Sequence, residues 1–264
     1  MGRRVKRIAA AATLLAMVFV FLPDARAGRV TRAARAVVEK PTKKLFKLLA
    51  RKKSGRVLHD RGDAYSASLE LAPGNPLGRS AGKVKVTVRM SRATGKPQPT
   101  SVPLGAAVRV PDGKGGADDL LMVSNGKGAF LRRLFWPRSS FFGATTTYST
   151  LLPFRIGGGR KQLIQLVPED RAPRPKTRAA GDATDLGELA DAVERGAASF
   201  TLLSTPLHGS GQTIIGRLVL EEKLADGESR GLRFNPWANS SVKPAGFINW
   251  VIRRAAYRGS QAGR

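Results

Sequence analysis

Residues 83–91, Lys-Val-Lys-Val-Thr-Val-Arg-Met-Ser, constrain the fold more than any other stretch of the chain. Val84, Val86, Val88 and Met90 alternate with Lys85, Thr87, Arg89 and Ser91. A period of two puts the apolar set on one face of a strand and the polar set on the other. Such a strand has one face for a core and one for water or a site, as in antiparallel sheets. Ser66–Leu71 alternates in the same way. Val102–Val110, Leu120–Val123, Leu163–Val167, Ser199–Ser204 and Thr213–Glu221 read as further strands, with Gly-rich and Asp-Gly turns among them.

Helical periodicity is confined to a few segments. Asp185–Arg195 carries Leu186, Leu189, Ala190 and Val193 on one stripe, with Gly196 as its stop. Pro244–Tyr257 reads as a final helix opened by proline. Phe130–Phe142 is aromatic and basic and fits neither period. Many strands followed by helices predict an α+β fold, an antiparallel β-barrel with peripheral and C-terminal helices. The 264 residues suffice for one domain with a sizeable core.

The N-terminus has the form of an export signal. Arg3, Arg4, Lys6 and Arg7 precede the apolar run Ile8–Leu22, broken only by Thr13, and Ala25-Arg26-Ala27 supplies the small residues of a cleavage site. The run is shorter than the ~20 residues that span a bilayer comfortably. Cleavage after Ala27 is therefore expected, and an uncleaved anchor at residues 8–22 is the alternative. The expected organisation is 1–27 signal, 28–54 basic and partly helical, and 55–264 folded domain. Pro41 is expected to divide the basic segment into two short helices.

Charge narrows the partners. The net charge is +27, and residues 28–54 hold ten Lys or Arg against one Glu. Such a field attracts an anionic membrane or another anionic polymer surface, with no specific nucleic acid expected. The absence of cysteine excludes disulfides, thiolate metal sites and cysteine nucleophiles. Two histidines argue against a zinc site, and Gly157-Gly158-Gly159-Arg160 lacks the Lys-Ser/Thr ending of a phosphate loop.

Three remote segments carry chemistry of one kind. Arg253, Tyr257 and Arg264 stand at R-x3-Y-x6-R, and a helix brings Arg253 and Tyr257 onto one face. A guanidinium beside a phenol favours the phenolate, a hard anionic oxygen ligand. His59 follows Arg56 in Arg-Val-Leu-His just ahead of a strand, and Arg89 and Ser91 share the polar face of residues 83–91. His208 sits in a Gly, Ser and Pro context and reads as a loop residue.

In this order the segments resemble the haem catalases, and more closely the short catalase-like haem proteins that keep the barrel core. Arg56-Val57-Leu58-His59 is similar to their R-V-x-H segment, and Val86-Thr87-Val88-Arg89-Met90-Ser91 to their V-x-V-R-F-S strand. Leu104–Arg109 and Asp119-Leu120-Leu121 parallel the two strands that follow. Arg217–Leu220 and Arg233-Phe234-Asn235-Pro236 resemble the stretches before the proximal helix. The resemblance implies ferric haem b bound by Arg56, Arg89, Arg253, Tyr257 and Arg264. Tyr257 would be the metal ligand, and His59, Ser91 and Asn125 the catalytic set. Phe130, Phe135 or Trp136 would stack on the porphyrin.

The chemistry agrees with the residue types. Two propionates call for guanidinium partners, and His is suited to moving a proton between peroxide oxygens near neutral pH. An anionic axial ligand favours O–O cleavage. The chain departs from the family at Asn125, which stands two positions late in Asp-Leu-Leu-Met-Val-Ser-Asn, and in the short stretch from Gly143 to Gly196. The function expected is an exported or membrane-associated peroxidase acting on hydrogen peroxide or organic hydroperoxides with a separate electron donor. Two alternatives stand beside it: a non-catalytic haem-handling protein, and a basic surface-binding protein without haem. The oligomeric state is left open.

Overall fold

The structure is a computed structural model that describes residues 39–51, 59, 61–93, 101–126, 131, 133–143, 145–157, 159–169, 185–207, 211–246, 249 and 253–263. Residues 1–38, Arg56, Phe130, His208 and Arg264 lie outside these, as do the expected boundaries after Ala27 and Ser54. The chain forms two compact units: residues 58–243, and residues 1–57 together with 244–264.

The larger unit is a closed antiparallel barrel. Its strands are β1 (Arg61–Leu71), β2 (Gly82–Arg92), β3 (Leu104–Pro111), β4 (Ala117–Ser124), β5 (Tyr148–Ser149), β7 (Lys161–Pro168), β8 (Ser199–Pro206) and β9 (Thr213–Lys223). Neighbours pair from β5 through β4, β3, β2 and β1 to β9 and β8, and β7 closes the ring between β8 and β5. Two short strands, β6 (Phe154–Ile156) and β10 (Val242–Pro244), extend the sheet beside β7. The expected alternation holds in β2. Val86, Val88 and Met90 are buried in the core and pair with Ala67, Tyr65 and Asp63 of β1.

Inward residues of every strand meet in one apolar cluster that includes Tyr65, Leu69, Val108, Leu120, Tyr148, Leu166, Phe200 and Leu218. Eight strands leave an interior that side chains just fill. Burial of each such side chain stabilises the fold by about 2 kcal/mol. The lumen is therefore core, and a large planar ligand would need an outward face. Phe142 adds to the core by stacking on Phe200, with ring centroids 5.4 Å apart.

Helix α2 (Asp185–Glu194) matches the expected span and buries Leu189 and Ala192 in this core. Gly196 ends it at φ +67°, where the Gly196 and Ala197 amides bond back to Val193 and Ala192 carbonyls. Helix α3 (Asp226–Gly231) follows β9.

Two adjacent aspartates tie the segment after α3 to the barrel. Fully buried Asp118 accepts from Arg79 at 2.6 Å and from the Ser241 and Val242 amides. Asp119 takes both arms of its cross-strand partner Arg109, at 2.7 and 2.9 Å. The Arg109 guanidinium lies 5.0 Å from the Phe234 ring centre, and the Asp119 backbone exchanges two hydrogen bonds with the Asn239 side chain. The Arg233–Pro236 stretch thus packs against an ion pair whose carboxylate is buried and whose guanidinium is partly exposed. Asp119→Ala removes both hydrogen bonds from Arg109, so a loss of about 2 kcal/mol is expected in urea unfolding. A loss below about 1 kcal/mol would show that the pair is inert.

In the smaller unit, residues 39–51 form helix α1 without a break at Pro41. Helix α4 (Arg254–Ala262) is preceded by helical backbone at Asn249 and Arg253, and Pro244 does not open it. Pro244 closes β10, where its missing N–H is tolerated, and Gly246 at φ +84° separates it from the helix. Glycines let α4 lie against α1. A Cβ on Gly259 would stand 3.0 Å from the Phe46 Cβ, and one on Gly263 would stand 2.7 Å from the Ala50 Cβ.

Candidate functional site

His59 is placed by an uncommon backbone. Its φ is +58°, a left-handed conformation that costs a non-glycine residue about 1 kcal/mol. Its amide is held by the Ala93 carbonyl at 3.3 Å. The imidazole Nδ1 lies 3.1 Å from the Ser91 Oγ, and that hydroxyl lies 3.4 Å from the Gly105 carbonyl. A hydroxyl has one proton. With that proton directed to the carbonyl, Ser91 accepts from Nδ1–H, and Nε2 keeps the basic lone pair.

The surroundings follow from register. Ser91 pairs with Gly62 on β1 and Gly105 on β3, and Arg89 pairs with Ala64 and Ala107. Gly105 and Ala107 pair in turn with Val123 and Leu121 of β4. Val88 and Met90 point inward, so these residues face outward. Gly62, Ala64, Gly105 and Ala107, flanked by Leu121 and Val123, form a shelf on which the His59 ring, Ser91 and Arg89 are the polar groups. Arg89 is only 5% exposed and donates to the Gly62 carbonyl at 3.4 Å, whereas Ala107, Leu121 and Val123 are half-buried.

Gly105 matters most to this geometry. A Cβ there would lie 2.5 Å from the His59 Nδ1 and 2.7 Å from the Ser91 Oγ. Gly105→Ala is expected to push the ring off Ser91 and shift the His59 imidazole 15N resonances. Gly227→Ala, where nothing lies within 4 Å, should leave them unchanged. Unshifted resonances in Gly105→Ala would contradict the placement. Glycine inside a strand signals a close approach, and that signal was available in the sequence.

Asn125 lies at the same end of β4 but its side chain is engaged. Nδ2 donates to the Gly126 carbonyl at 2.8 Å, and Oδ1 accepts from Thr147 Oγ1 at 3.2 Å. Its backbone bridges to Phe135, and its carbonyl accepts from Arg138 at 3.0 Å. The structure uses Asn125 to hold the turn after β4. Burial depresses the Arg138 pKa, with Tyr148 acting the other way. Phe135 and Trp136 are 36% and 46% exposed.

In the smaller unit, Arg253 stands at the N-terminus of α4 with helical backbone angles, φ −64° and ψ −41°. Tyr257 follows one turn later. Burial pushes the Arg253 guanidinium down to about 10, and Tyr257 acts in the opposite direction. Arg253 and Tyr257 of the smaller unit are of the residue types a ferric haem would use, a guanidinium and a phenol oxygen. The larger unit by itself holds the His59 imidazole against Ser91. Arg56 and Arg264, which the sequence resemblance assigns to propionates, lie outside the described residues.

No model of a known protein family matches the chain, and no curated protein matches it. Among the described residues, no helix is long and apolar enough to cross a membrane.

Proposed function

We propose that the chain binds ferric haem b in the manner of the catalase-like proteins. On this reading it acts as a peroxidase on hydrogen peroxide or organic hydroperoxides. The observation that carries the reading is His59 seated on Gly105, with Nδ1 against the Ser91 hydroxyl. Strained backbone and a cleared strand position are retained for a single imidazole, and acid/base chemistry gives that expense a purpose.

When bound, haem supplies the redox centre at which the peroxide O–O bond is cleaved. Tyr257 would hold the iron, and Arg253 would keep the phenol ionised. Arg89, with Arg56 and Arg264 by resemblance, would meet the propionates. His59 takes a proton from one peroxide oxygen at Nε2 and returns it to the other, and Ser91 keeps the imidazole in the tautomer that allows this. The Asn125 amide is committed to Gly126 and Thr147. A site in which that amide does not polarise peroxide suits peroxidase turnover better than rapid dismutation. The segment 1–27 would direct export, with the mature chain starting at Gly28.

The test is haem-reconstituted protein supplied with hydrogen peroxide and a phenolic donor. Peroxide-dependent donor oxidation with slow oxygen release is expected. Rapid oxygen release would overturn the peroxidase assignment. Absence of any peroxide reaction would reduce the reading to haem binding without turnover.

A further inference from the structure

We propose that the outward face of helix α1 (residues 39–51) docks the protein on an anionic lipid bilayer. This inference stands independently of haem. Lys40, Lys44, Lys47, Leu48 and Arg51 recur at spacings of three and four, which places them on one face of the helix. Lys40, Lys44, Leu48 and Arg51 are exposed, and Lys47 is half-buried. Among the described residues none of the four cations has an ion pair, and Glu39 is the only acid in the helix.

The rotation of this helix is fixed from the other side. Gly259 and Gly263 of α4, four residues apart, lie against the Phe46 and Ala50 Cβ atoms and the backbone of Lys43 and Lys47. Each glycine is at a position where a Cβ has no room, so the two helices meet in one register. The basic face is therefore displayed in a set direction.

Leu48 decides the occupant. It is 51% exposed in the middle of the cations. A lone exposed leucine is ordinary, but a leucine ringed by lysine and arginine has the chemistry of an interfacial helix. The cations reach phosphate headgroups, and the apolar group enters the acyl boundary. A soluble polyanion such as nucleic acid or polyphosphate would satisfy the cations and leave Leu48 in water. Charge and apolar group are satisfied together only by lipid.

The experiment uses the full chain and vesicles of phosphatidylcholine with or without phosphatidylglycerol. Binding is expected only with phosphatidylglycerol and should weaken as salt is raised. Lys40→Glu/Lys44→Glu/Arg51→Glu is expected to lower vesicle binding roughly 100-fold or more. Lys85→Glu/Lys114→Glu/Arg195→Glu removes the same charge from exposed barrel positions and should lower it only several-fold. Leu48→Ala should weaken vesicle binding roughly 10-fold and leave polyphosphate binding unchanged. Equal losses in the two triple variants would overturn the assignment of the face. A Leu48→Ala variant that binds vesicles as the parent does would overturn the lipid assignment in favour of a soluble polyanion.

Discussion

Replacing Tyr257 by phenylalanine is expected to abolish ferric haem retention while leaving the fold in place. The chain has three tyrosines, and their environments differ. Tyr65 is fully buried in the barrel core, and burial, with Asp63 second, pushes its phenol well above the usual range. Tyr148 is also fully buried and donates to the Phe141 carbonyl at 3.1 Å. Neither can offer an anionic oxygen without losing solvation or a hydrogen bond. Tyr148 is also beside a guanidinium short of water, at Arg138, but its hydroxyl is committed to a carbonyl, whereas Tyr257, beside Arg253, is only half-buried.

The substitution removes one oxygen and keeps the ring, so α4 and its contact with α1 through Gly259 should persist. Haem carried through gel filtration is the readout. Tyr65→Phe is the control, because the Tyr65 hydroxyl has no hydrogen-bond partner among the described residues. Loss of haem in Tyr257→Phe with retention in Tyr65→Phe is the expected pair of results. Retention in both variants would move the ligand elsewhere.

Replacing His59 by alanine should have the opposite profile, with haem retained and peroxide reactivity reduced roughly 100- to 10,000-fold. The argument is positional. His59 touches Ser91 and lies on Gly105, within a shelf otherwise built of small side chains, and no other described histidine exists to replace it. Alanine keeps the Cβ at this left-handed position and loses the contact with Ser91, so stability should change little or fall slightly. Ser91→Ala should cost less, roughly 10-fold, since the Gly105 floor still confines the ring. Stopped-flow absorbance after mixing with peroxide measures both variants. Full reactivity in His59→Ala would remove the acid/base role from this residue.

The barrel was legible wherever one strand face meets the core. The alternation of Lys83–Ser91 and Ser66–Leu71 predicted β2 and most of β1, because inward positions tolerate only apolar side chains there. The short strands β5, β6 and β10 carry two or three residues each, too few for a period, and were not read. Pro244 misled because proline serves a helix start and a strand end equally well, and the choice rested with Gly246 and its φ of +84°. A break was expected at Pro41, and the helix runs through it over residues 39–51.

The candidate site was legible residue by residue but not in its support. Arg89 and Ser91 declared a shared face through strand period, and Arg253 and Tyr257 through helix period. The left-handed φ of His59 has no sequence marker, because histidine, though more tolerant of it than most residues, adopts it in a small minority of cases. Gly105 signalled a close approach as a glycine inside a strand, but what approaches it follows from its pairing with Ser91, and register is a property of two strands together. The engagement of Asn125 by Thr147 joins residues 22 positions apart, a distance that motif spacing does not reach.

The most direct measurement is the visible absorption of the purified chain titrated with ferric haem. The account predicts a Soret band that grows to saturation at one haem per chain, displaced from that of free haem. The same titration of Tyr257→Phe should give the free-haem spectrum at every step. A parent chain whose spectrum is that of free haem throughout would contradict the account at its root.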